Sequence, residues 1–228
     1  MRRFPVMLFA AGFGTRMGAL TQATPKPLIP VGGRTLLDHA LHLCNANLVS
    51  HKVINLHYFG DKIASHLEGR DIALSPENPI LETGGGLRAA LPLLGNGPVL
   101  TLNTDAVWTG GNPLAELAQA WDEETMDALL VLAPLADALG HAGTGDFLLS
   151  PTGQITRANG ASGAVYLGAQ IIRTDRLADI PQAAFSLNLL WDRMIAEGRA
   201  YGVLHQGGWC DVGQPNSIAL AEGMLNGQ

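Results

Sequence analysis

A glycine-rich turn, an arginine, a lysine held between prolines and an aspartate at the end of an apolar run are the residues whose types and spacing could do chemistry here. Ala10-Ala11-Gly12-Phe13-Gly14-Thr15-Arg16-Met17-Gly18 follows the apolar stretch that starts at Pro5. Glycines placed after a buried strand let backbone N–H groups approach a phosphate, and Arg16 adds a cation. A tight turn alone would use the same glycines. The spacing departs from the dinucleotide fingerprint, because Met stands at 17 and glycine returns only at 18. No Gly-Lys-Ser/Thr occurs, so there is no Walker A loop. Lys26 is one of only three lysines and lies between Pro25 and Pro27. The prolines preset φ and remove two donors, which stiffens the placement of a point charge suited to phosphate. A solvated lysine in an ordinary turn is the plainer alternative. Leu81-Glu82-Thr83-Gly84-Gly85-Gly86 reads as a helix opening whose bare N–H groups could face a base or phosphate, with the Thr83 hydroxyl beside them. Asn103-Thr104-Asp105 ends a further apolar run, where open α/β sheets bind their ligands.

These residues require a scaffold of strands and helices, and the apolar pattern supplies one. Buried strands are expected at 5–11, 52–56, 71–75, 98–103 and 127–133. Helices are expected at 35–46, 61–67, 84–94 and 113–121. Beyond Pro134 the composition turns more polar and glycine-rich. Short mixed strands are expected at 147–150, 164–173 and 201–205, with helices at 185–196 and 215–225. The alternation predicts an α/β fold. It is a single Rossmann-like domain over 1–228, with a mostly parallel central sheet flanked by helices and a small mixed β lobe. The chain is expected to divide into a regular part over about 1–133 and a more mixed part over about 134–228.

The 228 residues, 47% of them apolar, are enough to bury a sizeable core. A net charge of −6 argues against a general nucleic-acid binder, yet a few placed cations and a metal can still attract anionic small molecules. Cys44 and Cys210 show no metal or disulfide spacing and are expected to be reduced thiols in a cytoplasmic protein. The N-terminal apolar stretch runs straight into the glycine turn, so it is read as a strand and not as a leader. No apolar run reaches the ~18 residues of a membrane span. No oligomeric state is assigned.

The motif Ala-Ala-Gly-x-Gly-Thr-Arg-Met, followed by Thr24-Pro25-Lys26-Pro27-Leu28 and by Pro30-Val31 through Leu36, resembles the sugar-phosphate nucleotidyltransferase signature. That resemblance implies a nucleoside triphosphate held by Ala11, Gly12, Gly14, Thr15, Arg16 and Lys26. Arg16, Lys26 and Asp105 would be catalytic. Glu77, Thr83 and Gly84 would lie in the segment that receives the nucleobase, and Asn103 would also contact the nucleotide. Trp209-Cys210-Asp211-Val212-Gly213 resembles the family's second acidic element, so Asp211 would join Asp105 on Mg²⁺. Gln214 stands where the family has threonine. Ser162-Gly163-Ala164-Val165-Tyr166 resembles the strand lining the sugar pocket, which implies sugar contacts from Gly163, Asp146 and Asp105. The Glu-Lys-Pro element of hexose enzymes is missing, and Arg157 stands near its place. Short length, Leu-Glu-Thr-Gly-Gly-Gly and Gly145-Asp146-Phe147 most resemble the N-acetylmuramate 1-phosphate uridylyltransferases of peptidoglycan recycling, which implies UTP and N-acetylmuramate 1-phosphate as substrates. Mannose-1-phosphate guanylyltransferases, and glucose-1-phosphate uridylyl- or thymidylyltransferases, are the alternatives. A non-catalytic nucleotide-binding module would be expected to have lost the lysine or an aspartate, and all are present. The glycine spacing disfavours a dinucleotide-dependent oxidoreductase. The sequence carries no hexapeptide repeat, so no acetyltransferase β-helix is expected.

Overall fold

The computed structural model describes residues 2–44 and 47–227. In chain order the strands are β1 (Phe4–Phe9), β2 (Pro30–Val31), β3 (Arg34–Thr35), β4 (Val49–Leu56), β5 (Ala73–Pro76), β6 (Val99–Asn103) and β7 (Ala106–Trp108). They continue as β8 (Ala128–Ala133), β9 (Ala138–Leu139), β10 (Phe147–Leu149), β11 (Ile155–Arg157), β12 (Val165–Ile172), β13 (Ala200–Leu204) and β14 (Trp209–Asp211). The helices are α1 (Leu36–Leu43), α2 (Gly60–His66), α3 (Glu82–Leu94), α4 (Pro113–Ala120), α5 (Asn188–Ala196) and α6 (Asn216–Asn226).

Seven strands form one sheet in the order β13-β8-β12-β6-β1-β4-β5. Only β12 runs antiparallel to its neighbours β6 and β8; the other pairs are parallel. The expected mostly parallel sheet is therefore present. It draws on both sides of residue 134, since β12 and β13 complete it. The small lobe is made of the β10–β11 hairpin and a three-stranded sheet, β7-β14-β9.

Alternation along the strands sorts the core. Val6 and Leu8 of β1 join Leu37, Ile54, Leu114 and Leu117 on one face, with α1 and α4. Met7 between them points the other way, to Leu87, Leu130 and Leu190 with α3 and α5. Each fully buried leucine contributes about 1.5–3 kcal/mol. A third cluster, with Met17, Ile29, Val31, Val107, Cys210 and Val212, lies beneath the glycine turn and β14. Both cysteines are free and buried, and burial pushes the Cys44 thiol up to about 12 and the Cys210 thiol up to about 11. No helix among the described residues is long and apolar enough to cross a membrane.

Most expected elements agree to within a few residues, and three differences have physical reasons. Helix α1 starts after Thr35 because its hydroxyl accepts the Asp38 N–H at 3.1 Å as an N-cap, and it ends at Leu43; the expected end at Ala46 lies outside the described residues. Helix α3 opens two residues before the glycines, at Glu82, whose φ of 59° is left-handed. Helix α5 starts at Asn188 and not at Phe185, because the Phe185 carbonyl is used to receive two N–H groups of α3.

Candidate active site

The glycine turn closes over the carboxyl ends of β1, β4 and β6, and named bonds hold it there. Ala10 N–H donates to Asn55 Oδ1 at 2.7 Å, and Thr104 Oγ1 donates to the Phe9 carbonyl at 2.7 Å. Gly14 has φ 63°, and a Cβ there would meet Lys26 Cβ at 2.9 Å. This glycine is needed for both reasons: it allows the left-handed turn and it leaves room for the lysine stem. The far side of the turn is tied to the segment around α2. Tyr58 donates to the Thr21 carbonyl at 2.9 Å and Lys62 to the Ala23 carbonyl at 2.5 Å.

Lys26, held between its prolines, is 8% exposed and donates from Nζ to Asp105 Oδ2 at 2.8 Å. Asp105 follows β6, and the next residues form β7, which pairs with β14 so that Ala106 faces Asp211. Val212 N–H donates to the Asp105 carbonyl at 2.9 Å. The ladder thus brings together two aspartates that are far apart in sequence. Burial, and then the charge of Asp105, push the Asp211 carboxyl above its ordinary value, with Lys26, Arg16 and His141 acting in opposition. Arg16 Nη1 lies 3.8 Å from Asp211 Oδ2. A Cβ on Gly213 would stand 2.7 Å from that carboxylate and 2.9 Å from the guanidinium, so a side chain would crowd both.

Lys26, Asp105, Arg16 and Gly213 border a cavity of about 310 Å³, within the range of small-molecule sites, and Asp211 stands behind them outside its lining. Ala11, Gly12, Gly14, Thr15, Arg16, Lys26, Glu77, Thr83, Asn103 and Asp105 all line it. Gly84 lies behind the wall. Its N–H, expected to be bare, donates to the Phe185 carbonyl at 2.8 Å, and Gly85 N–H does so at 3.1 Å. A Cβ on Gly84 would enter the Phe185 ring, so this glycine is required by close packing. The Thr83 hydroxyl accepts from Leu187 N–H at 3.0 Å.

Asp146 and Gly163 lie apart from this cavity lining. Asp146 accepts the Tyr166 N–H at 2.8 Å, and Gly163 packs its Cα against the Phe147 carbonyl, where a Cβ would come within 2.6 Å. Arg157 is committed elsewhere: it pairs with Asp192 at 2.8 Å and lies over the Phe147 and Trp191 rings. Arg88 donates to the Ile180, Gln182 and Ala183 carbonyls, and Arg173 pairs with Asp127.

Asn55 was missed from sequence. It is 3% exposed, accepts from Ala10 and donates Nδ2 to Glu77 Oε1 at 2.7 Å, while Glu77 Oε2 receives Leu81 N–H at 2.8 Å. Asn55 and Glu77 therefore brace the glycine turn against the opening of α3. The signal was an amide inside the apolar run Val53-Ile54-Asn55-Leu56, since a buried amide must find partners. Glu82 was missed too; it lines the cavity with a left-handed backbone, an uncommon conformation for a non-glycine residue.

A family model described as the MobA-like NTP transferase domain matches residues 6–151. The N-acetylmuramate alpha-1-phosphate uridylyltransferase of Caulobacter vibrioides is 42% identical over 231 residues, 96% of each chain. The protein of the same name from Neisseria meningitidis serogroup B is 34% identical, over 91% of this chain and 92% of its own length. The crystal structure of HddC from Yersinia pseudotuberculosis complexed with GMP-PN has a TM-score of 0.77 at 18% identity, covering 97% of this chain and 99% of that one, which extends the likeness in fold. With a family match over most of its length and relatives aligned end to end, this chain belongs to the MobA-like NTP transferase family, as one of its sugar-phosphate nucleotidyltransferases.

Proposed function

We propose that the protein transfers a uridylyl group from UTP to N-acetylmuramate 1-phosphate, forming UDP-N-acetylmuramate and pyrophosphate, in peptidoglycan recycling in the cytoplasm. The observation that carries the choice of substrates is the near full-length identity to two proteins bearing that name. The cavity geometry supports the reaction type. A phosphate oxygen of the sugar 1-phosphate attacks the α-phosphorus of the triphosphate, a new P–O bond forms, and pyrophosphate leaves with the electron pair of the bond that breaks. The nucleophile is already an anion, so no general base is required, and positioning with charge neutralisation carries the catalysis. The glycine turn and Arg16 receive the triphosphate, and Lys26 is held near the phosphates by its prolines and Asp105.

Asp105 and Asp211 fit Mg²⁺ and would hold it. Asp105 immediately precedes β7 and Asp211 lies on the paired β14, and burial, then the charge of Asp105, raise the Asp211 pKa. Among the described residues no third His, Cys, Asp or Glu completes a protein cage. Mg²⁺ characteristically takes one or two carboxylates plus phosphate and water oxygens. When bound, it neutralises charge on the phosphate oxygens. The test is pyrophosphate release with Mg²⁺, crossing UTP and GTP with N-acetylmuramate, mannose and glucose 1-phosphates. Turnover is expected only with UTP and N-acetylmuramate 1-phosphate. A stronger signal from GTP with mannose 1-phosphate would overturn the substrate assignment and keep the reaction type.

A further inference from the structure

We propose that the protein carries a second binding site, apart from the catalytic cavity, which takes the phosphate group of a small molecule against Arg34 and His42. A cavity of about 680 Å³ lies among the β2–β3 hairpin, α1, the loop from β7 to α4 and the end of α6. Its volume is again that of a small-molecule site, and it shares no lining residue with the catalytic cavity. Arg34 lines it from the hairpin, and His39 and His42 line it from α1, where their spacing puts them on one face.

The walls are held in place by bonds and close approaches. His39 Nε2 donates to the Val31 carbonyl at 2.9 Å, which ties α1 to β2. Asn112 Nδ2 donates to the Leu43 carbonyl at 2.9 Å, which ties the end of α1 to the start of α4. Gly32 has φ 57°, and a Cβ on it would lie 2.9 Å from Leu225 Cδ1, so the end of α6 packs directly on the hairpin turn. Gly110 has φ 78°, and a Cβ there would lie 2.8 Å from the Gln206 carbonyl oxygen. The cavity is therefore formed before any ligand arrives.

Its charge is one-sided. Arg34, His39 and His42 line it, and no aspartate or glutamate does. The carboxylates on the flanking elements are already engaged. Asp38 receives Thr35, His66 and Arg70, Glu116 receives His205 and the Gln206 N–H, and Glu222 receives the Gly32 N–H. By contrast, no hydrogen bond or ion pair to another described residue engages the side chain of Arg34 or His42. Burial holds the His39 ring below its ordinary value, and Arg34 and His42 act in the same direction against the Val31 hydrogen bond. An anion would relieve that repulsion. In a chain of net charge −6, a cavity with free cations and no acid selects for a negative ligand. A carboxylate has two oxygens, enough for the guanidinium fork alone. A phosphate monoester offers three, which serve the fork and the imidazole together.

The test follows the histidine ring-proton NMR signals at constant pH while inorganic phosphate or uridine 5′-monophosphate is added. Wild type is compared with Arg34→Gln, His42→Gln and Lys26→Ala, and the His42 signal is the one lost in His42→Gln. That signal is expected to move saturably with phosphate. Arg34→Gln should raise the dissociation constant about ten- to a hundredfold, the cost of losing a charged hydrogen bond. Lys26→Ala should leave it within about twofold, because Lys26 lines the other cavity. Arg34 and His42 are exposed, so the melting temperatures of their variants should match wild type and exclude unfolding as the cause. Tighter binding of uridine 5′-monophosphate would support the site with an organic phosphate as its ligand, and equal binding would support it with free phosphate. The proposal is overturned if the His42 signal does not saturate, or if chloride at matched ionic strength moves it equally. A loss of binding in Lys26→Ala as large as in Arg34→Gln would also overturn it.

Discussion

Asp38 and the Asp105–Asp211 pair put the same functional group into opposite surroundings. Where α1 approaches α2, the Asp38 carboxylate receives the Thr35 hydroxyl at 2.7 Å, His66 Nε2 at 2.9 Å and Arg70 Nη1 at 2.6 Å. Burial acts to raise its pKa, but those three donors outweigh burial and hold the carboxyl below its ordinary value. On β14, beside Asp105, burial again acts to raise the pKa of Asp211. There the next largest influence is another carboxylate, and Lys26, Arg16 and His141 offset the two only in part. Asp38 is satisfied by its own protein. Asp211 is left with an electrostatic cost that a proton or a further cation would relieve, which is how binding sites differ from structural ion pairs.

The largest effects should fall on the unsatisfied cluster. Lys26→Ala is expected to lower turnover about 10²–10³-fold, the usual consequence of deleting one electrostatic group aimed at developing charge. Asp105→Ala should lose more, because it removes both a proposed metal ligand and the partner that orients Lys26. Steady-state pyrophosphate release checks both, and wild-type turnover in either variant would erase the functional contrast between the two regions.

How far this contrast could be read from sequence differs by region. Ten of the proposed nucleotide-binding and catalytic residues line one cavity, and most of them sit at or shortly after the carboxyl ends of strands that the apolar runs already locate. The placement of Asp211 depends on β14, a three-residue strand in Trp209-Cys210-Asp211-Val212, too short for periodicity to register. It pairs with β7, equally short, so the geometry uniting the aspartates is a long-range pairing that no local pattern encodes. The partner of the triple glycine was hidden for a related reason: the Gly84 and Gly85 N–H groups donate to the Phe185 carbonyl. Glycine at a helix opening signals close approach, but sequence does not say of what; here Gly84 and Gly85 meet the Phe185 segment about 100 residues later, and Gly86 meets Glu77 and Asn55. Asp38, three residues after a capping Thr35, carries a local signature, whereas its partners His66 and Arg70 come from the next helix and the turn after it.

Asp38→Ala should leave kcat/KM within about twofold and lower stability by about 1–2 kcal/mol. Hydrogen bonds to a carboxylate contribute about 1.5–3 kcal/mol, reduced here because Arg70 is 41% exposed. The sign with pH follows from the lowered pKa. The folded state binds the proton more weakly than the unfolded chain, so the stabilisation is fully present above the ordinary carboxylate range near pH 4. It is lost as pH falls through the lower folded-state value. Denaturant melts of wild type and variant should therefore differ at pH 7 and converge in acid. A constant gap would show that packing, and not charge, is what Asp38 supplies.

Asp211→Asn should do the reverse, by a smaller amount. In the absence of metal it removes one of two repelling charges, and the contact it loses is a 3.8 Å pair to an arginine side chain that is 62% exposed, worth close to nothing. Stability is expected to rise by a few tenths of a kcal/mol, about 1 °C in a protein of this size, while turnover collapses. Because the folded-state pKa of Asp211 is raised, its ionisation weakens the fold. The variant's advantage should be absent below the unfolded carboxylate value near pH 4, grow as pH rises through the raised value, and then level off. Adding Mg²⁺ with UTP should invert the order, since the ligands stabilise the protein that binds them and the variant has lost half the proposed carboxylate pair. A metal-free variant less stable than wild type at pH 7 would mean that Lys26, Arg16 and His141 already balance Asp211, and the distinction drawn from Asp38 would not hold.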